Sequence, residues 1–281
     1  MNKLVGIIIL NYKVSDLVNK CLASVNKSDY KKIKIYIIDN DSRDLSATDI
    51  KKFTKTTFIQ NNVNSGYTGG NNLGIKQALK DGCDYVFILN PDTTVEKNTI
   101  SELVKTLESN NAAIAGPKIY FSDSKKIWFA GGVIDLANVI GGHLGVDEVD
   151  SGQYDQVTEV DYITGAAILI KREVLNKVGL FDERYFLYYE DSDLCYRSKK
   201  AGYKIIYVPT AIVYHKNAQS TGLGSPLQDY YQTRNRMLFA SKFLSFRTRF
   251  ALFREGLRNV MIYTRRKALM DFLLSKFGKG I

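Results

Sequence analysis

The chain contains 281 residues, of which 45 % are apolar and 24 % are charged. This composition is typical of a globular protein and argues against a disordered chain or a fibrous repeat, and the length predicts one large domain or two small ones. Three cysteines without a CxxC pair argue against a disulfide framework or a structural zinc site. The apolar run Leu4–Leu10 is too short to cross a membrane. Together with reduced thiols, this predicts a cytoplasmic protein.

The net charge of +10 is distributed unevenly along the chain. Residues 230–281 contain 12 of the 39 Lys and Arg residues but only 2 of the 29 Asp and Glu residues. The rest of the chain is therefore neutral. Such asymmetry predicts a function appended to a neutral catalytic or binding domain. We accordingly expect a domain over residues 1–222 and a basic amphipathic helical extension over residues 223–281.

The first half of the chain alternates predicted strands with predicted helices. The predicted strands cover residues 4–10, 33–39, 57–60, 85–89 and 112–115. The predicted helices cover residues 15–25 with Ser15 as N-cap, 46–53, about 70–79 and 99–109. Strands separated by helices join through right-handed crossovers, so this pattern predicts an α/β fold with a mostly parallel sheet.

Polar residues cluster where three of these strands end. They are Asn11-Tyr12, Asp39 to Ser42, and Asn90-Pro91-Asp92. Each group alone is also typical of a turn, because Asn, Asp and Pro are turn formers. Parallel strands deliver their carboxyl ends to one edge of a sheet, where ligands bind. The three groups together therefore predict a ligand site.

A glycine-rich stretch covers residues 65–74 and precedes a predicted helix. Its backbone amides could receive an anion at the helix N-terminus, and Gly70 and Asn71 are its candidate ligand-binding residues. Neither a GxGxxG sequence after the first strand nor a GxxxxGK[ST] sequence is present. Their absence argues against a dinucleotide dehydrogenase and a P-loop NTPase.

The second half changes to short predicted strands, over residues 127–130 and 161–171, followed by an acidic and aromatic segment over residues 181–195. A helix predicted from Ser192 has Glu190 and Asp191 at its N-terminus, where the macrodipole stabilises carboxylates. Helix capping alone explains one such acid but not the whole cluster.

His215 ends an apolar run and has two interpretations, a packing residue or a metal ligand. An aspartate and one imidazole suit Mn²⁺ or Mg²⁺ bridging a diphosphate.

Seven segments then occur in a specific order: IIILNY, YIIDNDS, NSGYTGGNNLGI, FILNPDT, YITGAAILIKREVL, FDERYFLYYEDSDLCYR and VYH. With the signature Tyr230-Tyr231-x-x-Arg234-Asn235-Arg236, they resemble the family-two glycosyltransferases, which have the GT-A fold, and most of all their bacterial rhamnosyltransferase-like branch. The resemblance covers about residues 3–236. It implies a Rossmann-like, mostly parallel central sheet and inverting transfer of a sugar from a nucleotide-sugar donor, with a divalent cation, Mn²⁺ or Mg²⁺.

The resemblance also assigns roles to individual residues. Tyr12 and Asp39 match residues that hold the nucleotide base, and Asn90-Pro91-Asp92 matches the DxD motif with Asn in its first position. Asp92 and His215 are the expected metal ligands, and Asp191 is the expected general base. The expected acceptor-side residues are Trp128, Gly165, Ala166 and Glu190.

The family further implies a donor and an acceptor. The first donor prediction is dTDP-rhamnose, and the alternative is a UDP-sugar for galactofuranosyl or other hexosyl transfer. The expected acceptor is a glycan or a lipid-linked saccharide of bacterial cell-surface polysaccharide biosynthesis. A catalytically inactive nucleotide-sugar-binding scaffold is the alternative from another class. Binding to nucleic acid is disfavoured, because the body is neutral and carries no basic-aromatic RNA motif.

Seven apolar residues in the basic segment follow helical spacing. They are Phe239, Phe243, Phe246, Phe250, Phe253, Leu257 and Val260. The stripe has three interpretations: packing on the enzyme, a coiled coil in a homo-oligomer, or contact of residues 239–267 with an anionic membrane surface. The last interpretation would place the protein peripherally on the inner face of the cell membrane.

Overall fold

The computed structural model describes residues 3–45, 53, 55–122, 124–216 and 224–281. Twelve strands are found among these residues. They are β1 (Val5–Asn11), β2 (Ile33–Asn40), β3 (Thr56–Asn61), β4 (Tyr85–Leu89), β5 (Thr93–Val95), β6 (Ile114–Phe121), β7 (Ile127–Phe129), β8 (Gly132–Asp135), β9 (Ile140–His143), β10 (Thr158–Glu159), β11 (Ala167–Lys171) and β12 (Ile205–His215).

Seven strands form the body of the central sheet in the spatial order β3-β2-β1-β4-β11-β6-β12. Strand β1 pairs in parallel with β2 and β4, β2 with β3, and β6 with β12. Strand β11 is antiparallel to both of its neighbours, so the other six strands point in one direction. The predicted α/β fold with a mostly parallel sheet is confirmed.

Helices cover the sheet and form the C-terminal part of the chain. They are α1 (Ser15–Asn26), α2 (Gly66–Lys80), α3 (Thr99–Ser109), α4 (Arg172–Val178), α5 (Glu190–Lys200), α6 (Pro226–Phe243), α7 (Phe246–Arg258) and α8 (Tyr263–Leu273). Within the described ranges, no helix is both long enough and apolar enough to span a bilayer.

Helix α2 packs closely on β1 because two of its glycines leave room for apolar strand residues. A Cβ atom on Gly70 would lie 2.4 Å from Leu10 Cδ1, and one on Gly74 would lie 2.6 Å from Ile8 Cγ2. Ile8 is fully buried. Larger residues at these glycines would therefore push the helix away from the sheet.

Several predicted boundaries differ from the structure. Ser15 is the first residue of α1 and not its cap, which is Val14. Helix α2 begins at Gly66, whose φ of 73° turns the chain into the helix earlier than predicted. Strand β11 begins only at Ala167, because residues 161–166 form a bend, an isolated bridge and a turn. The helix predicted over residues 46–53 lies outside the described residues, apart from Phe53.

The regular spacing of the C-terminal stripe predicts one continuous helix over residues 239–260, and this prediction is wrong. Helix α6 ends at Phe243, and an extended Leu244 separates it from α7. Phe239 packs in a small apolar cluster between the helices, whereas Phe246 and Phe250 are exposed. The predicted domain boundary at residue 222 lies outside the described residues.

Candidate active site

A cavity of about 1050 Å³ opens at the carboxyl ends of the central strands. Its wall includes Tyr12 after β1, Asn40 at the end of β2, and Asn90 to Asp92 after β4. The parallel direction of these strands brings their ends to the same edge of the sheet. The cavity therefore lies where the polar strand ends predicted a ligand site.

Nine predicted site residues line this cavity. They are Tyr12, Asn90, Asp92, Trp128, Gly165, Ala166, Glu190, Asp191 and His215. Three others, Asp39, Gly70 and Asn71, are not among its lining residues. The structure thus brings the expected base and the expected metal ligands to one cavity, although they lie far apart in the sequence.

Asp39 is fully buried at the end of β2, with both carboxylate oxygens hydrogen-bonded. Oδ1 accepts from Asn11 Nδ2 at 2.8 Å and from the Ser42 hydroxyl, and Oδ2 accepts from Gln60 Nε2 at 2.7 Å and the Arg43 N–H at 3.1 Å. Burial by itself raises the pKa of Asp39, but these hydrogen bonds outweigh it and lower the pKa. The carboxylate stabilises the ends of the strands, and its contact with a nucleotide base stays a prediction.

The glycine-rich stretch lies mostly within α2, and not as a loop around an anion. Gly70 packs on β1, and Asn71 Nδ2 donates to the Tyr67 carbonyl at 2.9 Å. At the start of the helix, the Thr68 N–H donates to the Phe186 carbonyl at 3.3 Å. This amide is therefore engaged within the protein, and donor binding by Gly70 or Asn71 stays a prediction.

Asp92 and His215 meet because β5 pairs with β12, in a register that sets His215 opposite Thr93. Asp92 Oδ1 lies 3.2 Å from His215 Nε2, and both side chains are largely buried. The approach does not form a hydrogen bond, and within the described ranges neither Asp92 Oδ1 nor His215 Nδ1 has a hydrogen-bond partner. The pair therefore presents a buried oxygen and a buried nitrogen that are not fully satisfied by the protein.

Trp128 lies between two imidazole rings. Its ring centre is 4.4 Å from that of His215 and 4.6 Å from that of His143, and both contacts are edge-on. Burial lowers the pKa of His143 to about 4, its hydrogen-bond contact with the Trp128 carbonyl opposes this shift, and proximity to His215 adds to it. His143 is therefore neutral at physiological pH. Trp128, assigned to the acceptor side, thus lies directly beside the candidate metal ligand.

Asp191 lies in the first turn of α5, and the surrounding backbone orients its carboxylate. Oδ2 accepts from the Gly165 N–H at 2.9 Å, and Oδ1 accepts from the Ser192 N–H at 2.6 Å. Burial raises the pKa of Asp191, and these hydrogen bonds only partly oppose it. A side chain at residue 165 would be excluded, because its Cβ would lie 2.6 Å from the Tyr67 hydroxyl.

Glu190 is a second buried carboxylate at the same helix end. Burial raises its pKa well above the usual value, and the neighbouring Asp191 raises it further. Within the described part of the chain, Glu190 Oε2 is buried without a hydrogen-bond partner. Two adjacent carboxyl groups with raised pKa values are typical of a site that handles protons.

The C-terminal helices form a second part of the cavity wall, here called the second lobe, that the sequence analysis did not assign. Its polar lining residues are Gln228, Asp229, Gln232, Thr233, Arg236, Glu255, Asn259, Arg265 and Lys279. Arg236 pairs with Glu255 at 2.7 Å, and Arg265 pairs with Asp229 at 2.9 Å. The lobe is therefore rich in hydrogen-bonding groups with largely balanced charge.

The sequence analysis missed both His143 and the residues of the second lobe, for different reasons. His143 is one of only two histidines, but it follows glycines in a turn-rich stretch and has no recognisable spacing to His215. Residues of the second lobe follow ordinary helical polarity, which predicts an exposed face. Their role as cavity lining arises because α6, α7 and α8 pack against one another and turn these polar residues toward the cavity.

The comparisons with known proteins agree with this geometry. The sequence profile of Glycosyl transferase family 2 matches residues 6–179. The chain is 25 % identical over 245 residues to a low-salt glycan biosynthesis hexosyltransferase of Haloferax volcanii, covering 85 % of this chain and 76 % of that protein. It is 26 % identical over 242 residues to the N-acetylglucosaminyl-diphospho-decaprenol L-rhamnosyltransferase of Mycobacterium tuberculosis, covering 79 % of each.

A solved structure extends the agreement to the fold. The crystal structure of GalNAc-T7 with UDP, GalNAc and Mn²⁺ matches with a TM-score of 0.65 at 16 % identity, over 84 % of this chain and 51 % of that chain. This chain therefore spans about half of that protein. The profile match covers more than half of the chain and includes the strand ends that line the cavity. The chain belongs to glycosyl transferase family 2 and is a glycosyltransferase of the rhamnosyltransferase-like branch, with the GT-A fold.

Proposed function

We propose that this glycosyltransferase inverts the transferred sugar, depends on a divalent cation, and uses Asp191 as its base. The observation that supports this most directly is the single cavity shared by Asp191, Asp92 and His215. Glycosyl transfer by direct displacement needs a base for the acceptor hydroxyl and compensation for the charge of the leaving diphosphate. The two sets of residues supply these two needs.

The proposed reaction is one displacement. The acceptor hydroxyl oxygen bonds to the anomeric carbon while Asp191 takes the hydroxyl proton. The bond from that carbon to the nucleoside diphosphate breaks, and the diphosphate leaves with the electron pair. The configuration inverts, and no covalent enzyme intermediate forms. The raised pKa of Asp191 makes it a stronger base than an exposed aspartate.

Asp92 and His215 fit a divalent cation, because a carboxylate oxygen and an imidazole nitrogen approach each other without forming a hydrogen bond. This ligand set suits Mn²⁺, and Mg²⁺ with additional oxygen ligands from the substrate. When bound, such a cation neutralises negative charge on a diphosphate. Among the described residues, no group of three or more His, Cys, Asp or Glu side chains forms a site, so the proposed site requires the donor's own oxygens.

We propose dTDP-rhamnose as the donor and a UDP-sugar, for galactofuranosyl or other hexosyl transfer, as the alternative. The rhamnosyl group of the first rests on the L-rhamnosyltransferase relative of M. tuberculosis, and its dTDP carrier rests on the family resemblance. The second rests on the UDP held by GalNAc-T7. The two proposals differ in both the base and the sugar, so a donor panel separates them.

We further propose a saccharide or lipid-linked saccharide acceptor of bacterial cell-surface polysaccharide biosynthesis. The second lobe supports this, since the amides of Gln228, Gln232 and Asn259 and the hydroxyl of Thr233 suit sugar hydroxyl groups. The M. tuberculosis relative is named for a diphospho-decaprenol acceptor. An acceptor of that kind would keep its lipid at a membrane surface.

Helix α7 is our candidate for contact with such a surface. Its inner side lines the cavity through Leu252, Glu255 and Gly256. Its outer side exposes Phe246 and Phe250 beside four exposed arginines. These are Arg247, Arg249, Arg254 and Arg258. Apolar and cationic side chains on one face suit the boundary of an anionic bilayer, and we propose this peripheral contact in place of a coiled coil.

The proposed function is tested by calorimetric binding of dTDP-rhamnose, UDP-galactofuranose and UDP-hexoses, each with Mn²⁺, Mg²⁺ or a chelator. We expect one nucleotide class to bind only with the cation, and release of its diphosphate when an acceptor saccharide is added. Binding without any transfer to a panel of saccharide and lipid-linked acceptors would instead support an inactive nucleotide-sugar-binding scaffold. Cation-independent transfer would contradict the metal proposal alone.

A further inference from the structure

The loop before α5 contains three non-glycine residues in the left-handed region. Phe186, Tyr188 and Tyr189 have φ angles of 65°, 68° and 73°. A Cβ atom crowds the backbone in this region, so bulky residues rarely adopt it. Three such residues within four positions keep this conformation only if surrounding groups hold it.

Asn235 on α6 binds the backbone of this loop. Its Nδ2 atom donates to the carbonyls of Tyr185, Leu187 and Tyr188 at 2.9, 2.7 and 2.8 Å. The side chain is fully buried. The two N–H groups of one amide are therefore shared among three carbonyls that belong to or directly precede left-handed residues of the loop.

Arg234, the preceding residue, completes the arrangement. Its guanidinium donates to the carbonyls of Tyr185 at 3.0 Å, Arg184 at 3.1 Å and Gly278 at 2.7 Å. Its Nε atom donates to Asn235 Oδ1 at 3.1 Å. This last bond fixes the orientation of the Asn235 amide, so that its NH₂ group faces the loop.

The held loop leads directly into the proposed base. Tyr189 is the N-cap residue of α5, and its carbonyl accepts from the Asp193 N–H at 2.8 Å. Asp191 follows two residues later and reaches the Gly165 N–H. A change in the path of residues 186–189 would therefore move the Asp191 carboxylate relative to the acceptor.

We propose that Arg234 and Asn235 are positioning residues that hold the loop of residues 185–189 in its left-handed path and so set the place of Asp191. Neither residue lines the cavity, so both act through the backbone and not by touching substrate. The inference rests on the proposed function of Asp191. It assigns a catalytic purpose to a helix that the sequence analysis placed in an appended segment.

The first test is Asn235→Asp, which preserves shape and the oxygen that accepts from Arg234 but replaces the donating NH₂ with oxygen. We expect kcat to fall at least tenfold, while the dissociation constant of the nucleotide donor changes less than threefold. The matched control is Asn72→Asp. Asn72 is also buried, and its Nδ2 donates to the Phe181 carbonyl and to Glu183 Oε1, both at 2.9 Å, before the left-handed residues begin. This control should lose comparable thermal stability and keep kcat within about threefold of the wild type.

A second readout does not depend on activity. Amide hydrogen exchange of residues 186–192 should accelerate at least tenfold in Asn235→Asp and remain near the wild-type rate in Asn72→Asp. If Asn235→Asp fails to fold, Asn235→Ser retains one donor and takes its place with the same expected direction. Turnover by the wild type tests the proposed function separately. If the wild type is inactive but only the Asn235 variant exchanges its loop amides faster, the proposed function is contradicted and the loop contact is still supported.

Two outcomes would overturn the inference. One is an Asn235 variant that is folded at the assay temperature and keeps both kcat and slow loop exchange. The other is an equal loss of kcat in the Asn72 control, since that would make the effect a general consequence of lower stability.

Discussion

Helices α6 and α7 are neighbours with similar composition and opposite environments. Both are rich in arginine and phenylalanine. In α6, Arg234 is fully buried among backbone carbonyls, and Phe239 packs in an apolar cluster. In α7, Arg249 is exposed and Phe246 is 73 % exposed.

The difference shows that the basic segment contains two environments, one buried and one exposed. A buried guanidinium is tolerated where several carbonyls accept from it, as around Arg234. An exposed arginine beside an exposed phenylalanine has no such internal partner set and suits an external surface. The net charge of residues 230–281 does not distinguish the buried arginines from the exposed ones. We therefore expect substitutions on the cavity and α6 side to alter catalysis, and substitutions on the outer side of α7 to alter surface binding.

The largest expected effect on the inner side comes from Asp191→Asn. It keeps the shape of the side chain but cannot accept the acceptor proton, so kcat should fall by ~10²–10⁴. Binding of the nucleotide donor, measured by calorimetry, should be retained because Asp191 is not a proposed donor ligand. Near-normal turnover would assign the base to another residue.

The second effect concerns the cation. His215→Ala should weaken Mn²⁺-dependent binding of the nucleotide diphosphate by at least about tenfold, in the range seen for groups that tune a metal site. His143→Ala is the matched control, because His143 packs on the other side of Trp128. Its variant should bind the nucleotide with nearly the wild-type dependence on Mn²⁺. Equal losses in the two variants would make His215 a packing residue.

The sequence predicted features that depend on neighbouring residues better than features that depend on residues far apart in the chain. Strand β4 and helix α3 have their predicted limits, because apolar runs and helical spacing are local signals. The convergence of Asp92 and His215 was predicted only through family resemblance, since it depends on the pairing of β5 with β12. The role of Asn235 was not predicted at all, because its three carbonyl partners lie 47 to 50 residues earlier.

The same reasoning explains the errors. The helical stripe from Phe239 to Val260 has regular spacing, but spacing does not reveal the break at Leu244. The segment before Ala167 is apolar enough for a strand, yet its turn is held by contacts with distant residues, among them the bond from the Gly165 N–H to Asp191. Contacts between distant parts of the chain hold the turn before Ala167, and local patterns do not encode them. The new helix after Leu244 instead carries a local signal that the spacing argument overlooked, because the Ser245 hydroxyl accepts from the Thr248 N–H as an N-cap.

Vesicle flotation tests whether the exposed side of α7 binds an anionic membrane surface. Each basic residue near anionic headgroups contributes about 1 kcal/mol, so the double variant Arg249→Ser with Arg254→Ser should lower binding to phosphatidylglycerol vesicles by about thirtyfold. Lys31→Ser with Lys32→Ser is the control, since these exposed lysines precede β2 and their removal takes equal charge from outside the basic segment. Kinetics with a soluble acceptor should be unchanged in both variants. Equal losses of binding, or no binding by the wild type, would contradict a membrane face on α7.

Point variants serve better here than removal of residues 223–281, which would also remove Arg234 and Asn235.

The smallest expected effect is a gain of stability at the site itself. Burial and Asp191 raise the pKa of Glu190, so the folded chain retains this proton at pH values where the unfolded chain has released it. Stability therefore decreases as pH rises from the ordinary glutamate range through the raised pKa. Glu190→Gln stays neutral and escapes this loss, which amounts to about 1.4 kcal/mol for every tenfold increase in the proton affinity of the carboxylate on folding.

The melting temperature of Glu190→Gln should accordingly exceed that of the wild type at pH 7.5, by roughly 2–4 °C for each kcal/mol in a domain of this size. The difference should vanish near pH 4, where glutamate is largely protonated in both states. Glu159→Gln, at an exposed position in β10, should show no such pH-dependent difference. A Glu190→Gln variant that is less stable at pH 7.5 would mean that the carboxylate is ionised and satisfied in the folded chain. In that case Glu190 would be a structural carboxylate like Asp39, ionised and hydrogen-bonded in the folded chain. Only Asp191 would then lower stability through the burial of its charge.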